Sequence, residues 1–495
     1  MSISGIRRFS PWRPGKSEKS IWIHPPNDLG NAELLSESYG DMIQYCIEKR
    51  EWLCWRDNEH VWATDDGYFF EILCDIVRMR TEEVQRADHF ETGDDYLLDS
   101  KKVKLWANSS GASGHIQSLA KLASRMIKHR VSKSALDANP YLLGCKNGIL
   151  DLRTATVRPG QKRDMMTMLC NANYISNAKC PRFEAFLRDI TLNRQELIDY
   201  LQEMLGYALS GLTTEQVLFL LLGFGANGKS TFLRLFQSLL GIYAWTTPLS
   251  TFVYGEHRGI RSDIAAFQGK RLVLSMEMNH GKRLDEALIK TATGEDAITA
   301  RFLYKNESQF TSEAKIIIAA NAEPVVVGGD LGIFRRIKVV PFDAVFMGAQ
   351  DNKALFAELV QETDGILRWA VEGFQRWFSR GRLNEPAIVA DASAEYKEKM
   401  DIVGEFIKYF CCTKNKDDRT SIALLFETFD AWCKKSCFES IGKKLFSTQL
   451  QQKGLKRAKS GPKRQFKGIK LLVTPKQDDD IDALVVEQQP FDQLQ

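Results

Sequence analysis

The stretch LLGFGANGKSTFLRLFQSLLG, residues 221–241, decides how this 495-residue chain is read. Gly223, Gly228, Lys229 and Ser230 fit the spacing G-x-x-x-x-G-K-[ST]. The apolar run VLFLLL (217–222) precedes it, and Phe232, Leu235, Phe236 and Leu239 fall on one face of a helix after it. A glycine-rich turn between a buried strand and a helix lets backbone N–H groups converge on phosphate oxygens, and the helix N-terminus adds positive potential. In that reading Gly223, Gly225, Ala226, Asn227, Gly228, Lys229, Ser230 and Thr231 surround the phosphates of ATP, Lys229 reaches the β and γ phosphates, and Ser230 ligates magnesium. The bland competitor is a glycine turn inside an ordinary core.

Outward from this loop, QVLFLLL (216–222), KRLVLSM (270–276), KIIIAAN (315–321) and IKVVPF (337–342) are short and apolar on both faces. Such runs suit buried strands of a mostly parallel sheet covered by helices. Hydrolysis also needs a carboxylate at a neighbouring strand end to organise magnesium and the attacking water. Glu277, after RLVLSM, is the candidate, and Asn321, ending KIIIAAN, is a candidate to sense the γ phosphate or hold the water. Arg335 and Arg336 precede another strand; an arginine reaching across a subunit boundary would stabilise charge on the transferred phosphoryl group, whereas adjacent arginines are also a common solvated patch. Spacing does not choose between those two.

The bulk numbers bound the rest. No apolar run approaches the roughly 18 residues of a membrane helix, and the N-terminus lacks the apolar core of a signal peptide, so a cytoplasmic protein without a membrane partner is expected. Ten cysteines and seven histidines are scattered without metal-ligand spacing, which points to structural thiols. The net charge of +4 hides an uneven distribution: Lys443 to Lys470 holds ten Lys or Arg and no Asp or Glu, and the tail beyond is acidic.

The expected organisation is a multidomain α/β chain: a mobile N-terminal arm (1–30), an α+β module (31–180), a helical linker or collar (181–212), the nucleotide-binding core (213–385), a basic module (400–475) and an acidic tail (476–495). In the N-terminal module EWLCWRDNEHVWATDD (51–66) reads as paired strands and HIQSLAKLASRMI (115–127) as an amphipathic helix. In the basic module SIALLFETFDAWCKKS and KKLFSTQLQQKG read as helices, with Leu445, Phe446 and Leu450 inward and Gly454 as a cap, and LKRAKSGPKRQFKGIKLL follows as a basic hairpin.

The order GFGANGKST, RLVLSME, RLDEALIKTATGEDAITARFLYK, KIIIAAN and GIFRRIKVVPF resembles a superfamily 3 helicase, specifically the phage, plasmid and poxvirus primase-helicase family. DANPYLLGCKNGILDLRTATVRP resembles the family's N-terminal helicase-associated module, and FDAWCKKSCFESIGKKLFSTQLQQKGLKRAKSGPKRQFKGIKL its C-terminal winged helix, so the likeness spans about residues 30–472. It implies an AAA+-like P-loop core in a hexameric ring, with Lys229, Ser230, Glu277 and Asn321 acting in one subunit and Arg335 or Arg336 supplied by the next. It also implies a hairpin in the central pore, matched by ITARFLYKNESQF, with Arg301, Tyr304 and Lys305 as DNA contacts. Two positions depart from the pattern. Ser275 and Met276 precede a single Glu277 where many members have paired acids, and Phe302 and Leu303 stand where relatives are often more basic.

Lys444, Lys456, Arg457, Lys463 and Arg464 are the candidate DNA contacts of the basic module. The functional expectation is an ATP-dependent replicative DNA helicase of a phage, prophage or plasmid-like element, moving 3′ to 5′ on single-stranded and forked DNA beside a separate primase or polymerase. The alternative is an origin-binding initiator in which ATP switches assembly without processive unwinding. No intrinsic primer synthesis is expected, since no pair of metal-binding carboxylates or zinc finger is recognisable upstream. The acidic tail reads as a solvating segment, or as one that competes with DNA for the basic module or docks a replication partner.

Overall fold

The computed structural model describes residues 21–86, 99–255, 261–276, 282–301, 308–327, 331–346, 352–436, 438, 440–460 and 463–472. It divides into two compact units, residues 1–151 with 156–169, and residues 152–155 with 170–495.

In the first unit, helix α1 (Asp28–Tyr39) is capped by Asn27, whose side chain accepts from the Gly30 N–H at 2.9 Å. Strands β1 (Ile43–Cys46), β2 (Glu51–Arg56) and β3 (Val61–Thr64) form an antiparallel meander. Helices α2 (Asp66–Arg86), α3 (Ser100–Ser109) and α4 (Ser113–Ala123) follow, and the two-residue β4 (Arg130–Val131) pairs parallel to β1, giving the order β3-β2-β1-β4. Both faces of this sheet are covered. Trp52 and Cys54 join residues of α1, α2 and α4 on one side, while Leu53 and Trp55 join Trp62 and Val131 on the other. The strands therefore lack the apolar and polar alternation of a one-sided sheet. A second meander, β5 (Leu142–Cys145), β6 (Gly148–Asp151) and β7 (Thr156–Arg158), completes the unit. Trp22 is wholly buried against Val103 and Ala107 of α3, so residues 21–30 belong to this folded unit and not to the expected arm.

The second unit starts with α5 (Pro181–Ile190) and α6 (Gln195–Ala208). Pro181 opens α5 at a position that needs no N–H, and the Glu362 carboxylate accepts from the backbone N–H groups of Arg182 and Phe183 at 3.0 and 2.8 Å. The central sheet consists of β8 (Leu218–Leu222), β9 (Ala244–Thr246), β10 (Leu272–Met276), β13 (Lys315–Ala320) and β14 (Ile337–Pro341), all parallel, in the order β14-β8-β13-β10-β9. Between them lie α7 (Lys229–Leu240), α8 (Ser262–Ala265), α9 (Glu286–Thr293), the antiparallel hairpin β11 (Ala297–Ala300) and β12 (Ser308–Thr311), and α10 (Leu331–Phe334). The four apolar runs of the sequence are the four inner and neighbouring strands; β9, whose Trp245 is exposed, is an additional edge.

Helices α11 (Leu355–Val360), α12 (Thr363–Arg380) and α13 (Ala387–Lys399) follow the sheet. Helix α12 lies against α6 at backbone distance: a Cβ on Gly373 would come within 2.1 Å of Gln202 O, and one on Gly206 within 2.2 Å of Phe374 N. Only glycine permits that approach. The segment expected as a helical linker is thus built into the same compact unit as the sheet. The chain ends in α14 (Ile402–Phe410), β15 (Cys411–Cys412), β16 (Arg419–Ser421), α15 (Ile422–Lys435), α16 (Lys443–Gln452), β17 (Lys456–Ser460), β18 (Lys463–Lys467) and β19 (Lys470–Leu471). Strands β16, β18 and β17 form an antiparallel sheet over a core of Phe406, Phe410, Phe429, Trp432, Phe446, Leu450 and Phe466.

Candidate nucleotide-binding site

The loop from Gly223 to Gly228 leaves the carboxyl end of β8 and enters α7, and its backbone takes the left-handed region at three positions: Gly225 (φ 97°), Ala226 (φ 44°) and Gly228 (φ 84°). Successive turns of this kind direct N–H groups into one concavity. Gly223 and Gly228 are sterically required: a Cβ on Gly223 would lie 2.3 Å from Phe342 O, and one on Gly228 2.4 Å from Ile190 Cγ2. The chain beyond β14 braces the loop from outside, with Phe342 N donating to Leu222 O at 2.7 Å and Phe346 N to Ala226 O at 2.7 Å.

Lys229 is the buried charge of the site, 4% exposed. Its Nζ donates to Gly223 O at 2.6 Å, to Asn227 Oδ1 at 3.0 Å and to Asn321 Oδ1 at 3.4 Å. No carboxylate is among these partners, and burial pulls its ammonium down to about 8. Asn227 is also buried, and its Nδ2 donates to Phe342 O at 3.2 Å, so one side chain joins the lysine to the bracing segment. Asn321 stands directly after β13, where Gly223 N donates to Ala320 O at 3.3 Å. Lys229, Asn227 and Asn321 thus converge at the carboxyl edge of the sheet. Ser230 is exposed and Thr231 half-buried in the first turn of α7. The donor set suits the phosphates of a nucleotide, and Ser230 is the residue that would hold a magnesium ion beside them.

Glu277 lies outside the described residues; Met276, before it, pairs with Ala319 at the same edge of the sheet, and Ser275 is wholly buried within β10. Arg335 and Arg336 stand at the opposite edge. They precede Ile337, which pairs with Leu218 at the start of β8, and both donate to Gln216 Oε1 at 3.1 Å. Five strand residues of about 3.3 Å each separate the two edges, so neither arginine meets Lys229 of its own chain.

The residues expected to touch DNA are dispersed. Arg301 is half-buried at the root of the β11–β12 hairpin, whose tip, with Tyr304 and Lys305, lies outside the described residues. Lys444 is exposed on α16. Lys456 and Arg457 are exposed on β17 and Arg464 on β18, where Arg457 pairs with Phe466, Lys456 with Lys467, and Lys463 with Ser460. Arg457 donates to Ser447 Oγ of α16 at 3.0 Å, so part of its guanidinium holds the hairpin to the helix.

One connection was not legible in the sequence. From Asn321 the chain runs through Glu323, which pairs with Lys399 at 3.0 Å, and Pro324, whose carbonyl accepts from the Tyr396 hydroxyl at 2.6 Å. It continues through Val325 and Val327 into the apolar core of the C-terminal module, where Gln449 Nε2 donates to Val327 O at 2.9 Å.

Residues 32–192 match the family described as D5 N terminal like, and residues 221–336 match a family of unknown function. Of curated proteins, the mimivirus protein named "Putative helicase L207/L206" (Acanthamoeba polyphaga mimivirus) is 26% identical over 447 residues, covering 82% of this chain and 45% of its own length. "Putative helicase 121R" of Invertebrate iridescent virus 3 is 25% identical, covering 60% of this chain and 35% of its own. "Primase D5" of Fowlpox virus is 25% identical, covering 45% and 30%. This chain is similar to D5-type viral primase-helicase proteins. It spans less than half the length of these relatives. A solved structure, the apo NrS-1 C terminal region (305-718), aligns over 92% of this chain and all of its own at TM-score 0.47 and 8% identity. No helix among the described residues is long and apolar enough to cross a membrane.

Proposed function

We propose that this chain is the ATP-hydrolysing motor of a DNA replication helicase from a virus, phage or related mobile element. The single observation that carries the reading is the convergence of the Lys229 ammonium with Asn227 and Asn321 beside a left-handed, glycine-built loop at the carboxyl edge of a parallel sheet. Lys229 and the loop N–H groups bind the phosphates, and Asn321 orients groups around the terminal one. Ser230, with Glu277, holds magnesium, which when bound neutralises charge on the phosphates.

The reading extends to a superfamily 3 ring, most simply a hexamer. The placement of Arg335 and Arg336 far from their own Lys229 favours a role at a neighbour's nucleotide. The hairpin β11–β12 is then the element that grips single-stranded DNA, with travel from 3′ to 5′. The order α14, β16, α15, α16, β17, β18 supports reading this module as a winged helix, and its exposed cations Lys444, Lys456 and Arg464 suit phosphate contacts on forked DNA. A cytoplasmic site of action and a separate primase or polymerase partner belong to the same proposal.

The test is unwinding of a forked duplex by the pure protein with ATP and magnesium, beside Lys229→Ala. Strand separation is expected, and the variant should lose it together with hydrolysis, by at least ~100-fold. Hydrolysis that DNA stimulates but that separates no strands would favour an origin-binding initiator using ATP as an assembly switch. Unwinding that survives in Lys229→Ala would overturn the reading.

A further inference from the structure

Residues 100–136 carry eight Lys or Arg and no Asp or Glu. This run lies in the first unit, far in sequence from the basic hairpin near the C-terminus, and five of the eight cations fall between Lys121 and Lys133, along the end of α4 and the turn into β4. Leu119 and Ala123 face α4 into the core, while Lys121 and Arg125, one turn apart, are exposed. The turn after α4 then presents Ile127, 88% exposed, and the exposed Lys128. Arg130 follows, exposed on β4, the edge strand of its sheet, in register with Tyr45. Among the described residues Lys121, Arg125 and Arg130 form no ion pair. Lys128 donates to the Ser36 carbonyl at the end of α1, at 3.0 Å, and the nearby Glu48 carboxylate accepts from the Lys133 backbone N–H at 2.8 Å.

A merely solvated helix face normally intersperses both signs of charge, which lowers self-repulsion. Here Lys121, Arg125 and Arg130 form no ion pair among the described residues, and a branched apolar side chain projects almost fully into water among them. Cations that track phosphates around an apolar contact for an unstacked base are the pattern of a single-stranded nucleic-acid surface.

We propose that Lys121, Arg125, Ile127, Lys128 and Arg130 form a second single-stranded DNA contact, on the N-terminal unit, separate from the basic hairpin. The proposal rests on the helicase reading for the identity of its polyanion. Lys121, Arg125 and Arg130 meet backbone phosphates, and Ile127 packs on a base. Lys128 is partly committed to α1, so it contributes less.

The experiment measures binding of the full chain to a fluorescent oligothymidine by anisotropy across a salt series, for the wild type and for Lys121→Ala/Arg125→Ala/Arg130→Ala. Each phosphate contact on a single strand contributes a slope of about 0.7 to the plot of log affinity against log salt. The triple variant should therefore lose about 2 from that slope and roughly tenfold or more in affinity at low salt. Its hydrolysis of ATP without DNA should be unchanged. A charge-keeping variant, Lys121→Arg/Arg125→Lys/Arg130→Lys, should bind like the wild type. An unchanged slope and affinity in the alanine variant would overturn the proposal and leave the helicase reading intact. Equal loss in the charge-keeping variant would also overturn it, since charge would then not be the cause. A wild type that does not bind the oligonucleotide removes the proposal outright, while loss of hydrolysis in Lys229→Ala judges the nucleotide site independently.

Discussion

Lys229 carries a pH consequence. Its ammonium is buried against neutral oxygens and titrates near 8, well below the ordinary lysine value of 10.5. The protonated form is the one that attracts phosphates, so nucleotide affinity should fall as pH rises through about 8, by up to roughly tenfold per pH unit above it. Binding should also raise the lysine's affinity for its proton, so proton uptake accompanies nucleotide binding between about pH 8 and 9. Titration calorimetry in buffers of different ionisation enthalpy would detect it. For folding the sign is opposite: the unfolded lysine binds its proton more tightly, so this residue's penalty is present at neutral pH and is relieved as pH rises from about 8 to about 10.5. Affinity that is flat from pH 7 to 9.5 would mean that Lys229 does not meet the phosphates as proposed. Lys229 and Asn321 could be found from spacing, because a loop motif and a strand end are local signals. Asn227 was seen only as a loop position; that it receives the lysine and donates to Phe342 O depends on a residue far away in sequence.

Among the elements, strands whose apolar character is continuous were legible, because burial on both faces leaves no other composition for them. The edge strand β9 was not, since AWT is three residues long and two of its side chains are exposed. The pair α5 and α6 was readable as helical but not as part of the sheet-bearing unit. The reason lies in two glycines, Gly206 and Gly373, that read as interruptions of helix propensity and in fact permit helix-to-helix backbone contact. Gly373→Ala would place a methyl against a carbonyl with backbone on both sides, and neither helix can yield without moving its partner. It should destabilise the protein by about 3 kcal/mol or more, read as a fall of several degrees in Tm. A Tm equal to that of the wild type would show that the helices are free to separate.

At the scale of the whole molecule the sequence suggested a C-terminal module from about residue 400, with helical patterns followed by a basic run from Lys443 to Lys470. Composition does not register that Val325 and Val327, contributed by the connection after Asn321, complete the module's core. A fragment of residues 400–495 would lack that contribution, worth roughly 2–3 kcal/mol of apolar burial. It should melt broadly and bind an apolar dye, whereas the full chain should not. A sharp melt at the temperature of the full chain would show the module to be autonomous. If the fragment behaves as expected, this module cannot be transplanted as a cassette. Any ancestor that exchanged its terminal module for another had to exchange, or refit, the few residues that follow Asn321, so the two halves of the unit are bound to change together.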